Sequence, residues 1–326
     1  MNALKQKILA AAEKELADIE AALSENLQPY LEIVSDVAGH IIFSGGKRLR
    51  PLLMVLSARI CGYTGGYDIT FSSAIEFLHA ATLLHDDLVD DASLRRGKPV
   101  AHSVYGNAIT VLVGDFLLAR ALAISADTGK LEVIKVISKL TEEMSQGEVF
   151  QLMRKGDIGL TEAEYLNVIG QKTAVLFEAA CKTCAIIADA SDEQKQALSA
   201  YGYNLGIAFQ MADDLLDYTQ NTAELGKEIG ADLKEGKMTL PVIHALDRAD
   251  ADDKKVMAAI IKDQEFSAED FGILVEMLKK YGGIDYTKKM AAAYIQKAKD
   301  ALSIFEPSKS KEMMFDIADY ALAREM

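Results

Sequence analysis

The sequence predicts an all-α fold. Its 326 residues include only five prolines, Pro29, Pro51, Pro99, Pro241 and Pro307. The stretches between them are rich in Ala, Leu, Ile, Glu and Lys, the better helix formers. The apolar–polar alternation of half-buried strands is scarce, so essentially no sheet is expected. Half of the residues are hydrophobic, which allows a sizeable core.

Helix ends are set by glycine, proline and short polar clusters. Such breaks fall at Ser44-Gly45-Gly46, CGYTGGYDIT (61–70), RRGKP (95–99), YGN (105–107), SADTG (125–129), RKGDIG (154–159) and ADASDE (188–193). Two more are QNTAELGKEIGADLKEGK (220–237) and YGGID (281–285). The intervening segments run roughly 10–25 residues, ordinary for globular helices. No break is long or Ser/Pro-rich, so one single large helical domain over residues 1–326 is expected.

In chain order, MNALKQKILAAAEKELADIE (1–20) alternates charge around an apolar stripe and reads as an amphipathic helix rather than a signal peptide, which makes cytoplasm the expected compartment. The most apolar stretch, AITVLVGDFLLARALAISA (108–126), holds Asp115 and Arg120. Charges so placed suit a buried helix better than a membrane span, and no transmembrane segment is expected. Cys181 and Cys184 form a CxxC within FEAACKTCAIIA, far from Cys61 in sequence. Without a second pair or a nearby histidine they are expected to pack in the core rather than hold zinc.

The net charge of −14 excludes nucleic acid as a partner, because no basic face offsets the repulsion of phosphates. An anionic metabolite would be repelled as well unless a cation mediated its binding.

One internal echo bears on that tension: HDDLVD (85–90) recurs as ADDLLD (212–217), each closing an apolar run, SSAIEFLHAATLL and NLGIAFQMA. No fixed period accompanies it, which excludes a solenoid. Residues four apart on a helix lie about 40° from each other, so Asp86 and Asp90 share a face, as do Asp213 and Asp217, with Asp87 and Asp214 beside them. A single such motif reads equally well as a solvated helix end. Two copies favour a hard cation, since like charges at this spacing destabilise a helix and burial raises the cost. Mg²⁺ takes one or two carboxylates and completes its octahedron with water and phosphate oxygens. Two such clusters facing each other across a cavity would hold several Mg²⁺ ions and, through them, a diphosphate. His85 is turned about 100° from Asp86 on a helix and lacks the further N or S ligands of a zinc site. It is expected to pack or to neighbour the ligands, and Asp91 is left as a solvated acid or a neighbour of the site.

Basic groups accompany the acids. SGGKRLRP (44–51) sets Lys47, Arg48 and Arg50 after a Gly-Gly turn, RRG (95–97) follows the first acidic motif, and Lys172-Thr173, Lys227 and Lys237 occur in GQKTAVLF, LGKEIG and EGKMTLP. Singly each is an ordinary surface charge. Together they describe two anion sites, one reached through metal and one through Arg and Lys directly.

With GGKRLRP, EFLHAATLLHDDLVD, RRGKP, GNAITVLVGDFLLARA, GEVFQL, KTAVLFEAA, FQMADDLLDY and LGKEIGADLKEGKMTLP in this order, the chain resembles the trans-polyprenyl diphosphate synthases, the bacterial octaprenyl type above all. The resemblance implies an all-α isoprenoid synthase fold with helices surrounding a deep central cavity, and a homodimer. It implies head-to-tail condensation of isopentenyl diphosphate onto an allylic diphosphate, farnesyl or geranylgeranyl, with Mg²⁺ (three ions with substrate bound) and delivery of the product to the membrane. Carried over by position, Asp86, Asp87, Asp90, Asp213, Asp214 and Asp217 are the metal set, with Asp86, Asp90 and Asp213 the direct ligands. Lys47, Arg50, His79 and Arg96 match the isopentenyl diphosphate contacts. Arg95, Lys172, Thr173, Gln210 and Lys227 match the allylic diphosphate contacts, with Lys237 beside them.

The chemistry implied is ionisation of a carbon–oxygen bond, attack of an alkene on the allylic cation and loss of a proton, for which the family uses the released diphosphate as acceptor. Arg95, Lys172 and Lys227 would stabilise the leaving charge, while Thr173 and Gln210 would turn oxygen dipoles toward the cation. The tail would run back along the helix that ends at Asp86. Ala81 and Thr82 lie there about one turn deeper, ~5.4 Å, where short-chain members place aromatic rings. Small side chains predict a tunnel continuing toward Phe77, Ala74 and the helix 108–124, and a product of C30 to C50, with C40 favoured. The same small residues would also serve close helix packing. The rivals are a shorter-chain (C15–C25) synthase, a terpene cyclase or head-to-head synthase, which has no use for GGKRLRP, and a non-catalytic partner subunit, which has no need of both aspartate motifs.

Overall fold

The structure, a computed structural model, describes residues 3–219, 230–263 and 265–323. It is all-α. The described parts of residues 1–140, 176–202 and 301–317 form one compact unit, and those of 141–175, 203–300 and 318–326 a second.

In the first unit the helix α1 spans Ala3–Ala11, α2 Glu13–Leu27, α3 Glu32–Ile42, α4 Leu49–Ile60 and α5 Tyr67–Val89. From Phe71 to Leu78 every residue of α5 is buried, as are Ala80, Ala81 and Leu84. A helix apolar on all sides must be enclosed, and α2, α3, α4 and α7 (Asn107–Asp127) pack around it, with α6 (Ala101–Tyr105) preceding α7. Small side chains at Ser72, Ser73, Ala74, Ala80 and Ala81 let these neighbours approach.

By length and composition α7 is a helix that could cross a bilayer. Its inner face, Val113, Gly114, Leu117, Ala121 and Ile124, is buried, and it packs on α5. Its other face exposes Ile109, Val111, Leu112 and Leu122. The helix is therefore buried on one face only, where the sequence led us to expect a buried helix.

α8 covers Leu131–Met153, α9 Glu162–Ile169, α10 Val175–Ile187 and α11 Asp192–Thr219. Cys181 and Cys184 are fully buried on α10, and burial pushes Cys181 up to about 12 and Cys184 well above the ordinary thiol range. They are core residues, as expected.

The second unit packs α9 and the end of α11 with α12 (Ala231–Lys234), α13 (Leu240–Arg248), α14 (Ala251–Lys262), α15 (Ala268–Lys280) and α16 (Gly283–Ala301). Its core joins Tyr165, Ile169, Met211, Leu215, Leu240 and Leu274, with Phe271 stacked between Tyr218 and Phe266. Starts are fixed by side-chain caps: Thr161 and Ser267 make reciprocal capping boxes, and Asp250 accepts from the amides of Asp252 and Asp253. The helix α17, Lys309–Ala323, closes the described chain.

One expectation fails locally. RRGKP (95–99), read as a bare break, joins Leu94 in an antiparallel pair of two-residue strands, β1 (Leu94–Arg95) and β2 (Lys98–Pro99), with Arg95 opposite Lys98. Arg96 (φ 53°) and Gly97 (φ 74°) both take the left-handed conformation that a tight two-residue hairpin turn requires. The sheet is too short to register as alternation, and its effect is to send two adjacent arginines in different directions.

Candidate active site

The first acidic motif closes α5. Asp86 and Asp90, one turn apart, are half-buried, whereas Asp87 is only 3% exposed. Arg95, lifted by the hairpin, answers that burial: its Nε lies 2.9 Å from both Asp87 oxygens and its Nη2 2.6 Å from Oδ1. Such a charge-assisted fork fixes the guanidinium plane. Arg96, on the turn, points elsewhere and donates to the Ser44 hydroxyl at 3.4 Å.

Asp91, left without an assignment by the sequence, is the residue that ends the helix. It has φ 49°, its amide donates to Leu88 O, and the amide of Ala92 donates to Asp87 O at 2.9 Å. This is the paired closure usually made with glycine, and aspartate is among the few side chains tolerant of it. His85 turns onto α7, its Nε2 3.2 Å from Val111 O. A Cβ on Gly114 would come within 2.3 Å of that nitrogen, so any side chain there would push the His85 ring aside.

The SGGKRLRP loop leads into α4. Arg48, its N-cap, takes φ 48° and is buried. Its Nη1 donates to Glu76 at 2.6 Å, its Nε to Glu20 at 2.6 Å and its Nη2 to Ile42 O at 2.7 Å. Burial works against this charge, but Glu20 and Glu76 outweigh it and hold the group above its ordinary range. Lys47, just before it, is exposed. Arg50, just after, lies 4.4 Å over the Phe177 ring and 3.2 Å from His79 Nε2. Arginine only donates, so His79 accepts at Nε2 and carries its proton on Nδ1. Burial, then the charges of Arg50, Arg95, Arg96 and Arg48, hold His79 well below its ordinary value and therefore neutral. The predicted isopentenyl diphosphate residues Lys47, Arg50, His79 and Arg96 thus belong to one electropositive corner of the first unit. Burial, followed by Arg95, lowers Arg96 itself.

Ala81, 3% exposed, and Thr82, half-buried with its hydroxyl on His79 O at 2.9 Å, sit on α5 before the motif.

In the second unit the α9–α10 connection is not α-helical. Gly170–Ala174 forms a π-helical turn, a widening that recurs at functional sites. It carries Lys172 and Thr173. Lys172 pairs with Glu148 at 2.5 Å. A Cβ on Gly147 would fall 2.7 Å from Gln171 Cβ, so this glycine lets α8 lie against the turn.

Thr173 donates to Gln210 Oε1 at 2.7 Å, Gln210 Nε2 donates to Asp214 Oδ1 at 2.8 Å, and the Tyr165 hydroxyl donates to Asp214 Oδ2 at 2.6 Å. Asp214 is 4% exposed. Burial, reinforced by Asp232 and Asp213, pushes it up to about 8 against the pull of the Tyr165 and Gln210 hydrogen bonds. Asp217 accepts from the amides of Ala231 and Asp232 at 3.1 and 3.2 Å, while Asp213 is half-buried. Lys237 pairs with Glu235. Lys227 lies outside the described residues.

Sequence reasoning missed Arg48 as an internal clamp, along with Glu20, Glu76, Glu148 and Tyr165. Glu76 left a signal, a lone acid inside the apolar run SSAIEFLHAATLL, which demands a buried partner. Tyr165 left none.

Among the described residues no three His, Cys, Asp or Glu side chains close into a metal cage. The motifs offer carboxylates in ones and twos, all oxygen donors, a set that fits a hard cation whose remaining sites go to water and phosphate.

A model of the polyprenyl synthetase family matches residues 31–278. The octaprenyl diphosphate synthase of Escherichia coli (strain K12) is 38% identical over 320 residues, covering 98% of this chain and 99% of that protein. A short chain isoprenyl diphosphate synthase of Methanothermobacter thermautotrophicus is 34% identical over 326 residues, covering 95% of this chain and 99% of that one. The crystal structure of a polyprenyl synthase from Caulobacter crescentus CB15, complexed with calcium and isoprenyl diphosphate, superposes with a TM-score of 0.93 at 39% identity, covering 99% of this chain and 98% of that one.

Proposed function

The chain belongs to the polyprenyl synthetase family and is a trans-prenyl diphosphate synthase, and from that premise we propose that it is a long-chain member, extending a farnesyl or geranylgeranyl primer with isopentenyl diphosphate to a C40 product. The observation that carries the length is Ala81: a methyl side chain on α5 about one turn before Asp86, ~5.4 Å deeper, where a ring would stop the tail.

Asp86, Asp90 and Asp213 would hold Mg²⁺, which supplies charge stabilisation to a leaving diphosphate without proton transfer. Arg95, its plane fixed by Asp87, and Lys172, held by Glu148, bind the allylic diphosphate, with Lys227 and Lys237 in the same role. Lys47, Arg50 and Arg96 bind isopentenyl diphosphate, and neutral His79 orients Arg50 without adding charge. When the allylic C–O bond breaks, its electron pair leaves with the diphosphate. The isopentenyl double bond attacks the cation, and the proton lost from the adjacent carbon passes to the released diphosphate. Thr173 and Gln210 face the cation with oxygen lone pairs.

The protein acts as a homodimer on this proposal, a second copy covering the outward apolar face of α7, where Leu112 is 66% exposed. Sedimentation should give twice the mass of one chain; a monomer at micromolar concentration would refute the dimer alone.

Ala81→Tyr tests the length assignment. Its products, dephosphorylated and sized by chromatography, should shorten by several isoprene units with primer consumption retained. An unchanged product distribution would place the tail elsewhere.

A further inference from the structure

Both oxygens of Asp214 are taken by protein donors, Tyr165 at 2.6 Å and Gln210 at 2.8 Å. Gln210 thus presents its NH₂ to Asp214, which leaves its carbonyl as the acceptor for Thr173. The Thr173 hydroxyl, 8% exposed, then spends its hydrogen on Gln210 Oε1 at 2.7 Å. Its lone pairs are left directed away from Gln210. One buried acid thereby sets the direction of every hydrogen bond in the chain.

We propose that Asp214 is a positioning residue that fixes the hydrogen-bond polarity of Gln210 and Thr173, so that the Thr173 oxygen offers lone pairs rather than a hydrogen to the allylic cation. This rests on the prenyl-transfer function proposed above. Tyr165 serves the same end: it fills the second carboxylate oxygen with a donor and holds the acid in place against α9. A hydroxyl presenting its hydrogen to a developing cation would oppose ionisation, whereas an oriented oxygen dipole favours it with no reorganisation.

Asp214→Asn keeps shape but reverses the chain. With Tyr165 still donating to the remaining oxygen, the introduced amide turns its NH₂ to Gln210. Gln210 must then offer its own NH₂ to Thr173, and the hydroxyl hydrogen points outward. Turnover should fall about tenfold, the scale of one oriented hydrogen bond in a transition state. The KM for the primer and the Mg²⁺ half-saturation should stay within about twofold of the parent, as for an interaction made only in the transition state. Adding Gln210→Glu restores an acceptor to Thr173, because the introduced carboxylate takes the NH₂ of the neighbouring amide on one oxygen and the Thr173 hydroxyl on the other; most of the lost turnover should return.

A Mg²⁺ half-saturation that rises in step with the lost turnover would make Asp214 a metal ligand and overturn the proposal, as would a double variant no better than the single. If the Gln210→Glu charge unfolds the protein, Thr173→Val decides. Added to Asp214→Asn it should cost nothing further, since both act through one oxygen; multiplying losses would refute the coupling. Melting temperatures separate this proposal from the function it rests on. Recovery of stability in the double variant reports the hydrogen-bond chain by itself, whereas absence of any chain extension by the parent enzyme would overturn the prenyl-transfer function.

Discussion

Asp86→Asn should lower turnover by about a thousandfold, the upper range for removing one electrostatic stabiliser of a transition state, and should at the same time raise the melting temperature of the metal-free protein. The opposite signs have one cause. Asp86 and Asp90 stand at i and i+4 on the last turn of α5, with Asp87 between them and Asp91 closing the helix. A helix C-terminus is the negative end of the macrodipole, so carboxylates there cost stability instead of supplying it, and like charges one turn apart repel by a few tenths of a kcal/mol. The charge of Asp87 is answered by the Arg95 fork. Removing the charge of Asp86 relieves the helix by a few tenths to about 1 kcal/mol and leaves the Arg95 pair intact. Mg²⁺ with inorganic diphosphate should raise the melting temperature of the parent protein and move the variant much less. Full turnover in the variant, or a loss of stability in the metal-free state, would show that the acids serve the fold.

Arg48→Met should destabilise the protein by about 3 kcal/mol or more, the cost of stranding one member of a buried pair. The Glu76 half of the network carries that figure, since the Arg48 and Glu76 side chains are 6% and 11% exposed. The Glu20 half, with its carboxylate 45% exposed, is screened by water and adds little. Arg48→Lys is no remedy, because one ammonium cannot reach Glu20, Glu76 and Ile42 O in the geometry of a planar fork. Arg48 also sits between Lys47 and Arg50 in a left-handed conformation that its ion pairs hold in place. The KM for isopentenyl diphosphate should therefore rise together with the loss of stability. Chemical denaturation and steady-state kinetics on the same preparation check both; a variant as stable as the parent would remove the clamp from the account.

Most helix ends were legible because glycine and polar clusters carry them. CGYTGGYDIT follows the last residue of α4 and holds the first of α5, Gly106 separates α6 from α7, and ADASDE follows the last residue of α10 and holds the first of α11. The turn between α1 and α2 at Ala12 has no such marker and was missed. So was the π turn at Gly170–Ala174; it lies against α8 at Gly147, a long-range contact that local sequence does not encode. The aspartate motifs were visible in the sequence as a spacing repeated after two apolar runs. Spacing did not reveal which members are buried: Asp87, Asp214 and Asp217 are, the first two bound by the side chains of Arg95, Tyr165 and Gln210. Arg95 and Tyr165 come from other elements, and only the fold brings them into reach. Asp91 makes the same point in reverse, since its left-handed backbone and not its charge explains it.

The central claim, a long-chain prenyl diphosphate synthase whose tail passes Ala81, is tested most directly by the product itself. Purified protein incubated with labelled isopentenyl diphosphate, farnesyl diphosphate and Mg²⁺ should yield, after dephosphorylation and chromatographic sizing, an alcohol centred on C40, with no product when Mg²⁺ is chelated. A product that stops at C20, or no chain extension at all, would contradict it.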